Sequence, residues 1–382
     1  MRVKALAAVA LLITYGSLYP FDVHVSEYPL AALKALLADR QWWTSRGDVL
    51  GNIGLFVPLG LLGVLWTEGP DARGRAVLTT LLGGFILAFG LQVAQIWITS
   101  RSAILADVIW NTAGIVAGII AGLVLASSSV SRRVSLGAGN VFALGLLGLW
   151  ALAELAPLVP ALDFGGVKAS LKPLVRTPDI DGAVLAYTAA QVLLVSRLLS
   201  TVTGPDRASL ILATLLSVVL VGKVVIVELY LDWTTIAGVT LGFVVSVAWR
   251  YLAIRAMPSG TLLVLVLTAY AGHALAPFAL GAASPFSWIP FGAALDGSML
   301  ANLRAICTAA FVLGACLWLM KDLGWSGLSA SLALAMWALM FEVAQVWMAG
   351  RTASTTEPVL ALLAGWALWR LEPDVTRSRS SR

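Results

Sequence analysis

Charge is scarce in this sequence. Only 12% of its 382 residues are Asp, Glu, Lys or Arg, whereas aqueous globular domains carry about 25%. Hydrophobic residues make up 59%, and the mean hydropathy is +0.91. Apolar runs long enough to cross a bilayer as helices recur along the whole length. The composition excludes an aqueous globular protein and predicts an all-α fold, a polytopic transmembrane helical bundle.

Residues suited to metal binding or redox chemistry are equally scarce. Cys307 and Cys316 are the only cysteines, His24 and His273 are the only histidines, and no CxxC, HExxH or histidine cluster occurs. The two cysteines lie nine residues apart in one predicted helix, hence on opposite faces, which argues against an internal disulfide. We therefore expect no metal and no cofactor, and we interpret both histidines as ordinary structural residues.

Hydropathy predicts twelve membrane spans. They lie near residues 5–20, 49–66, 76–98, 104–126, 138–157, 182–200, 207–230, 233–252, 260–280, 299–320, 325–347 and 355–370. With the N-terminus placed in the cytoplasm, fifteen basic residues fall on the cytoplasmic side and eight on the other. The positive-inside rule therefore favours two cytoplasmic termini, with the long loops 21–47 and 158–181 outside. This bias also accounts for the net charge of +5 without a nucleic-acid partner.

One pattern occurs twice at a fixed offset of 250 residues. Residues 92–101 read QVAQIWITSR and residues 342–351 read EVAQVWMAGR. At the same offset Asn52 matches Asn302, and the acidic Asp107 matches the acidic Glu357. A fixed offset over separate segments predicts that the chain arose by internal duplication.

The repeat suggests three units of four helices, about 1–130, 131–257 and 258–373, followed by a basic disordered tail at 374–382. The first and third units carry the repeat. The middle unit is a weaker relative, in which Tyr187 stands 135 residues after Asn52. Its charged residues Lys223 and Glu228 lie five apart in one predicted span and do not share a helix face. Glu154, near the end of another predicted span, is interpreted as a membrane-interface residue.

Polar residues of the first unit cluster at the ends of three predicted helices. They are Asp48, Asn52, Gln92, Gln95, Arg101, Asp107 and Asn111, with Gly114, Gly118 and Gly122 continuing the stripe of the last helix. Short connections make neighbouring helices pack together, so we expect these side chains to meet around one outward-facing polar pocket, with Arg101 and Asp107 as an ion pair. The glycines allow another helix to approach closely.

The third unit repeats part of this set as Glu342, Gln345, Arg351 and Glu357. It departs from the first unit elsewhere, because Asp48, Asn111 and Gly118 become Ser298, Ala361 and Leu368. We therefore interpret the third unit as a diverged copy and the first unit as the better candidate for activity. Ionisable residues near a bilayer indicate function unless paired, and Arg is suited to phosphate or carboxylate. The Gln and Asn residues could equally serve only as interhelical packing contacts.

The first unit resembles the VanZ-like membrane family. The resemblance rests on D48-x3-N52-x3-F56-x-P58-x-G60, then Q92-x2-Q95, R101 and D107-x3-N111-x2-G114-x3-G118. The family pattern has Glu where Gln92 stands, and the third unit has Glu342 there. The resemblance implies a multi-pass protein of the bacterial cytoplasmic membrane and a link to resistance against lipid-bearing glycopeptides such as teicoplanin.

Three functional hypotheses follow. The first is a non-enzymatic cell-envelope protein that binds an amphiphile or a lipid-linked anion, so its partners are membrane lipids or a lipid-linked envelope precursor. The second is a multi-helix transporter, which the repeats suit, although the units run parallel rather than inverted. The third is a membrane enzyme acting on a lipid-linked precursor, with Asp48 or Asp107 as acid or base. No nucleophile motif supports the enzyme.

Overall fold

A computed structural model describes residues 2–19, 21–24, 29–43, 46–65, 67, 69–127, 138–158, 164–176, 178–253, 257–292 and 299–371. Within these ranges the chain is mainly helical, and isolated bridges join Val23 to Ile98, Leu280 to Met348 and Ser287 to Ser354. In chain order the helices are α1 (Arg2–Leu18), α2 (Pro29–Ala38), α3 (Arg46–Leu65), α4 (Pro70–Gln95), α5 (Leu105–Ser127), α6 (Ala138–Leu155), α7 (Phe164–Val175), α8 (Gly182–Thr203), α9 (Pro205–Val225), α10 (Trp233–Ala253), α11 (Ser259–Leu275), α12 (Met299–Asp322), α13 (Gly327–Gln345) and α14 (Thr356–Leu371).

All twelve predicted spans coincide with a helix, so the predicted all-α bundle is confirmed. Eight of the described helices are long and apolar enough to cross a membrane, namely α3, α4, α5, α8, α9, α10, α12 and α13. The helices at the other four predicted spans, α1, α6, α11 and α14, do not meet both criteria over their described residues. The chain is therefore a multi-pass membrane protein, and the number twelve stays a prediction.

The two long loops each contain a helix that hydropathy did not indicate. α2 lies within residues 21–47 and has 10 residues, and α7 lies within 158–181 and has 12. A helix needs about 20 apolar residues to cross the hydrocarbon core, so neither can add a span.

The helices form two compact units, and the first contains α1 to α5. Its tightest packing is between α3 and α5, where glycine makes the approach possible. A side chain at Gly114 or Gly118 would overlap a backbone carbonyl of α3, and Gly60 on α3 has the same relation to Ile115. The predicted role of the glycine stripe, close approach of another helix, is confirmed.

The second compact unit contains α6 to α14. α8 begins at the N-cap Asp181, whose carboxylate accepts from the backbone N–H of Ala183 and Val184 at 2.8 and 3.1 Å. Such a cap satisfies amide groups that have no partner within the helix. Residues 192–195 of α8 and the middle of α12 are almost fully buried and form the core of this unit.

Lys223 on α9 has a partner that the sequence did not indicate. Its ammonium lies 2.8 Å from the Glu154 carboxylate of α6, and both side chains are only about one-fifth exposed. The ion pair offsets the cost of holding a largely buried charge, and the interpretation of Glu154 as a membrane-interface residue stays a prediction.

The predicted three-unit organisation stays a prediction. The helices of the proposed middle and third units fall almost entirely within one compact unit. The predicted boundary at 130/131, the residue Ser298 and the tail 374–382 lie outside the described residues.

Candidate functional site

The turn after α4 returns Arg101 to the end of α1. Val23 and Ile98 form an antiparallel bridge that ties the segment after α1 to this turn. Arg101 donates a hydrogen bond from Nε to the Tyr19 carbonyl at 2.8 Å. The arginine is half-buried and held at its Nε edge, so the position of its guanidinium is fixed by backbone contacts.

Asp107, in the first turn of α5, is enclosed by amide donors. Asn52 on α3 donates to its Oδ1 at 2.7 Å, and Gln92 on α4 donates to its Oδ2 at 3.3 Å. The other end of the Gln92 amide accepts from the Ile104 N–H at 2.9 Å. We call Asn52, Gln92, Asp107 and the Ile104 amide the first polar cluster. Each member is hydrogen-bonded to another member, and in this sense the cluster is closed.

The predicted ion pair between Arg101 and Asp107 is wrong. Ion pairs in the described part of the chain are Lys223–Glu154, Arg197–Asp322 and Arg250–Asp206. Proximity in sequence does not bring these two side chains together, because Arg101 turns back to α1 while Asp107 faces α3 and α4. The carboxylate receives amide donors instead of a cation.

The remaining predicted residues of the first unit take separate positions. Gln95 is buried and donates to the Ser17 carbonyl at 2.9 Å. Asn111 is 4% exposed, and its Oδ1 has no hydrogen-bond partner among the described residues. Asp48 is exposed at the start of α3. Of the seven predicted residues, the structure thus brings Asn52, Gln92 and Asp107 into direct contact.

A pocket of about 630 Å³ lies beside Arg101, and we call it the first pocket. Its apolar wall comes from α2, including Ala32, Ala35 and Leu36. Polar atoms come from Arg101, Gln95, His24, Thr99 and Asp39. Within the described residues, no acceptor contacts the two terminal guanidinium nitrogens of Arg101.

The second unit repeats the arginine contact. Arg351 follows α13 as Arg101 follows α4, and its Nε donates to the Ala276 carbonyl at 2.7 Å. A second guanidinium nitrogen donates to the His273 carbonyl at 2.5 Å. The bridge between Leu280 and Met348 matches the one between Val23 and Ile98. Arg351 is therefore held by two carbonyls where Arg101 is held by one.

The loop after Arg351 is also held as in the first unit. The Ser354 N–H donates to Glu342 Oε2 at 2.7 Å, as the Ile104 N–H donates to Gln92. Both members of one pair stand 250 residues after those of the other. The internal duplication stays a prediction, and this recurrence of contacts supports it.

A cavity of about 430 Å³ lies among these residues of the second unit, and we call it the second cavity. Glu342, Gln345, Arg351 and Glu357 all line it, so the structure brings the four predicted residues together. Glu342 is only 4% exposed. Within the described residues, no group of three His, Cys, Asp or Glu side chains could hold a metal ion.

Three residues of the second cavity were missed by the sequence analysis. Tyr187, Tyr270 and His273 line it, and the Tyr187 ring stacks on His273 with centroids 4.5 Å apart and planes at 7°. Tyr270 is 3% exposed. Its hydroxyl and His273 Nδ1 are buried and have no partner among the described residues, as is also true of Glu357 Oε2. The offset of 135 residues between Asn52 and Tyr187 was the one available signal.

The comparison with protein families agrees with the motifs of the first unit. Residues 4–126 match the family model described as VanZ/LLP1, so this segment is VanZ-like. The match covers α1 to α5, which is 123 of the 382 residues, counting from 4 to 126. No match was found among curated proteins, and none among solved structures.

Proposed function

We propose that this VanZ-like membrane protein belongs to the bacterial cell envelope and binds an amphiphile or a lipid-linked anion in the first pocket. The observation that carries the proposal is the state of Arg101. Its Nε is held by the Tyr19 carbonyl, and its two terminal nitrogens meet no acceptor within the described residues. A planar guanidinium whose two terminal nitrogens are available is suited to a phosphate or carboxylate.

The walls of the first pocket fit an amphiphile better than a small free anion. Ala32, Ala35 and Leu36 of α2 offer an apolar surface within the pocket that Arg101 also lines. A ligand with an acidic head and an apolar chain would use both parts. Asp39 also lines this pocket. Its carboxylate would repel a highly charged anion, so the pocket favours a ligand with a small negative charge.

We further propose that the protein lies in the cytoplasmic membrane with both termini inside, which would put the first pocket on the outer side. The excess of basic residues in the loops assigned to the cytoplasm supports this orientation. Single cysteines placed at Thr99 and Thr203, in a chain with Cys307 and Cys316 replaced by Ala, would test it. A membrane-impermeant maleimide added to intact cells should label position 99 and spare position 203; the reverse result would contradict the orientation.

Ligand binding can be tested by native mass spectrometry of the full chain in a nonionic detergent. Phosphatidylglycerol should be retained by the wild type and largely lost from Arg101→Ala, whereas Arg351→Ala is the matched control and should retain it. Removing one partner of a desolvated charged contact typically weakens binding by about thirtyfold or more. Equal retention by all three proteins would contradict the proposed anion site.

The link to lipid-bearing glycopeptides can be tested in cells. Expression of the wild type should raise the teicoplanin concentration needed to stop growth, and Arg101→Ala at equal expression should not. A glycopeptide without an acyl chain is the control, because it lacks the part that would contact α2. An equal effect on both antibiotics would argue against recognition of an amphiphile.

Transport is a second candidate, and one observation favours it. The second cavity is polar and is lined by α8, α11, α12, α13 and α14, of which three are long enough to span a membrane. Cavities among membrane helices are common substrate sites. Ligand flux into proteoliposomes that disappears in Glu342→Gln would support transport. Ligand binding without flux would instead support a binding protein that does not transport.

A further inference from the structure

We propose that the second cavity binds a ligand carrying an ammonium group, with Glu342 and Glu357 as its carboxylate partners. This site lies in the second unit and shares no residue with the first pocket. The ammonium site and the anion site can therefore fail independently.

The buried polar atoms of the second cavity that lack a partner can all accept a hydrogen bond. Glu357 Oε2 is buried without a partner, and an ionised carboxylate can only accept hydrogen bonds. Glu342 uses Oε2 to accept from Ser354, and a carboxylate has further acceptor capacity on its other oxygen. The buried Tyr270 hydroxyl and His273 Nδ1 can also accept. An ammonium group supplies three donors and no acceptor, which matches this set.

An anion fits the second cavity poorly. Arg351 is its one guanidinium among the described lining residues, and that side chain already donates to the carbonyls of Ala276 and His273. An anion would also meet Glu342 and Glu357. Burying like charges together is unfavourable, so the charge balance selects a cation.

Aromatic rings add a second feature typical of ammonium sites. Tyr187 and Tyr270 line the cavity, with ring centroids 6.1 Å apart and planes at 79°. Trp337 supports Tyr270 from a centroid distance of 5.0 Å. The face of a tyrosine ring attracts a cation electrostatically, and the effect grows where water is excluded.

The size of the second cavity limits the ligand. About 430 Å³ lies near the lower end of the range for small-molecule sites, so the cavity accepts a small amine or one lipid headgroup. A free amine and the headgroup of an ammonium-bearing lipid would present the same chemistry to Glu342 and Glu357. The experiment therefore includes both.

The first measurement uses the full wild-type chain in nonionic detergent at pH 7. Ethanolamine is titrated by calorimetry, and N-acetylethanolamine, which lacks the positive charge, is the matched ligand control. Native mass spectrometry compares retention of phosphatidylethanolamine with that of phosphatidylglycerol in the Arg101→Ala background, which removes the proposed anion site. Binding of ethanolamine, or selective retention of phosphatidylethanolamine, supports the proposal and identifies a free amine or a lipid headgroup as the source.

The second measurement repeats the test on variants of the cavity. Glu357→Gln and Glu342→Gln should weaken the binding of the ammonium ligand by about thirtyfold or more, because each removes a buried charge partner. Asp206→Asn, which changes an exposed carboxylate on α9, should leave binding unchanged. Tyr270→Phe removes only a hydroxyl and should weaken binding about fivefold, which keeps the test usable if a glutamate variant fails to fold.

Three outcomes would overturn the proposal. One is the absence of binding by both ethanolamine and phosphatidylethanolamine to the wild type. Another is equal binding of ethanolamine and its neutral N-acetyl derivative. The last is unchanged affinity in Glu357→Gln and Glu342→Gln while both variants remain folded.

Discussion

The first polar cluster and the second cavity share a backbone contact at the 250-residue offset, and one difference between them is an amide in place of a carboxylate. Gln92 accepts from the Ile104 N–H and donates to Asp107. Glu342 accepts from the Ser354 N–H in the same way but, when ionised, has no hydrogen to donate. Glu357 Oε2 therefore lacks a partner among the described residues. The exchange of an amide for a carboxylate is therefore one reason why the first cluster is closed and the second cavity is rich in acceptors.

Helix packing differs between the two places as well. In the first unit Gly118 allows α5 to lie against the backbone of α3, close enough for the short Asn52 side chain to reach Asp107. The residue at the corresponding position in the second unit is Leu368, which is fully buried. For the arginines, the more fully engaged side chain is in the second unit, because Arg351 donates to two carbonyls and Arg101 donates to one. Contacts that recur at the 250-residue offset thus surround two sites for which we propose opposite charge preferences.

The largest expected effect comes from giving the first cluster the carboxylate of the second. Gln92→Glu should destabilise the protein by about 3 kcal/mol, because it removes the donor to Asp107 and buries a second negative charge beside it. Thermal unfolding in detergent measures the change. Gln41→Glu makes the same exchange at an exposed position and should have almost no effect. Equal stability of Gln92→Glu and the wild type would mean that the first cluster is not closed.

The two arginines should respond differently to removal. Arg351→Ala leaves two backbone carbonyls without their donor and should cost about 2–3 kcal/mol, whereas Arg101→Ala leaves one and should cost about 1 kcal/mol. Anion retention should show the reverse order, as described for the first pocket. Unfolding and lipid retention measured on the same preparations check both expectations. If the same variant showed the larger loss in both assays, the proposed difference between the two arginines would be contradicted.

Much of the fold could be predicted from the sequence, because long apolar runs leave few alternatives to helices. The repeat also located Glu342, Gln345, Arg351 and Glu357, which do share a cavity. α2 and α7 were missed since 10 and 12 residues give too short a hydropathy signal. Proximity along the chain misled the assignment of an ion pair to Arg101 and Asp107, because the direction of the intervening turn is set by backbone pairing with residues far away.

The glycine contact should be sensitive to a single methyl group. Gly118→Ala places its Cβ against backbone atoms of α3 that cannot move aside, so we expect a loss of about 2 kcal/mol. Gly83→Ala on α4 is the matched control, because nothing lies within 4 Å of a Cβ there. The control should be neutral or slightly stabilising, since alanine favours helix. Equal stability of the two variants would show that the closed cluster does not depend on the close approach of α5 to α3.

The smallest effect concerns the unpartnered hydroxyl of Tyr270. In the absence of ligand, Tyr270→Phe should stabilise the second unit by about 0.5–1 kcal/mol, because a buried hydroxyl without a partner is removed. Thermal unfolding without added amine measures this. A clear loss of stability would show that the hydroxyl has a structural partner.

The aromatic side of the second cavity could not be predicted in the same way. Tyr187 belongs to α8, and Tyr270 and His273 belong to α11, so three side chains distant from the repeated segment complete the cavity. None of them stands at the 250-residue offset. Two histidines in a long apolar chain are more often structural than functional, and only the packing of α8 against α11 reveals that His273 lies at a cavity.

Glu342→Gln is the variant to measure first, because Glu342 is proposed to keep the second cavity open for an ammonium group. Apparent melting temperature is measured for this variant and the wild type, with and without ethanolamine. We expect the new amide to donate to Glu357 as Gln92 does to Asp107, which should raise the ligand-free melting temperature by about 3 °C and remove most of the increase caused by ethanolamine. A lower melting temperature with an undiminished response to ethanolamine would contradict it.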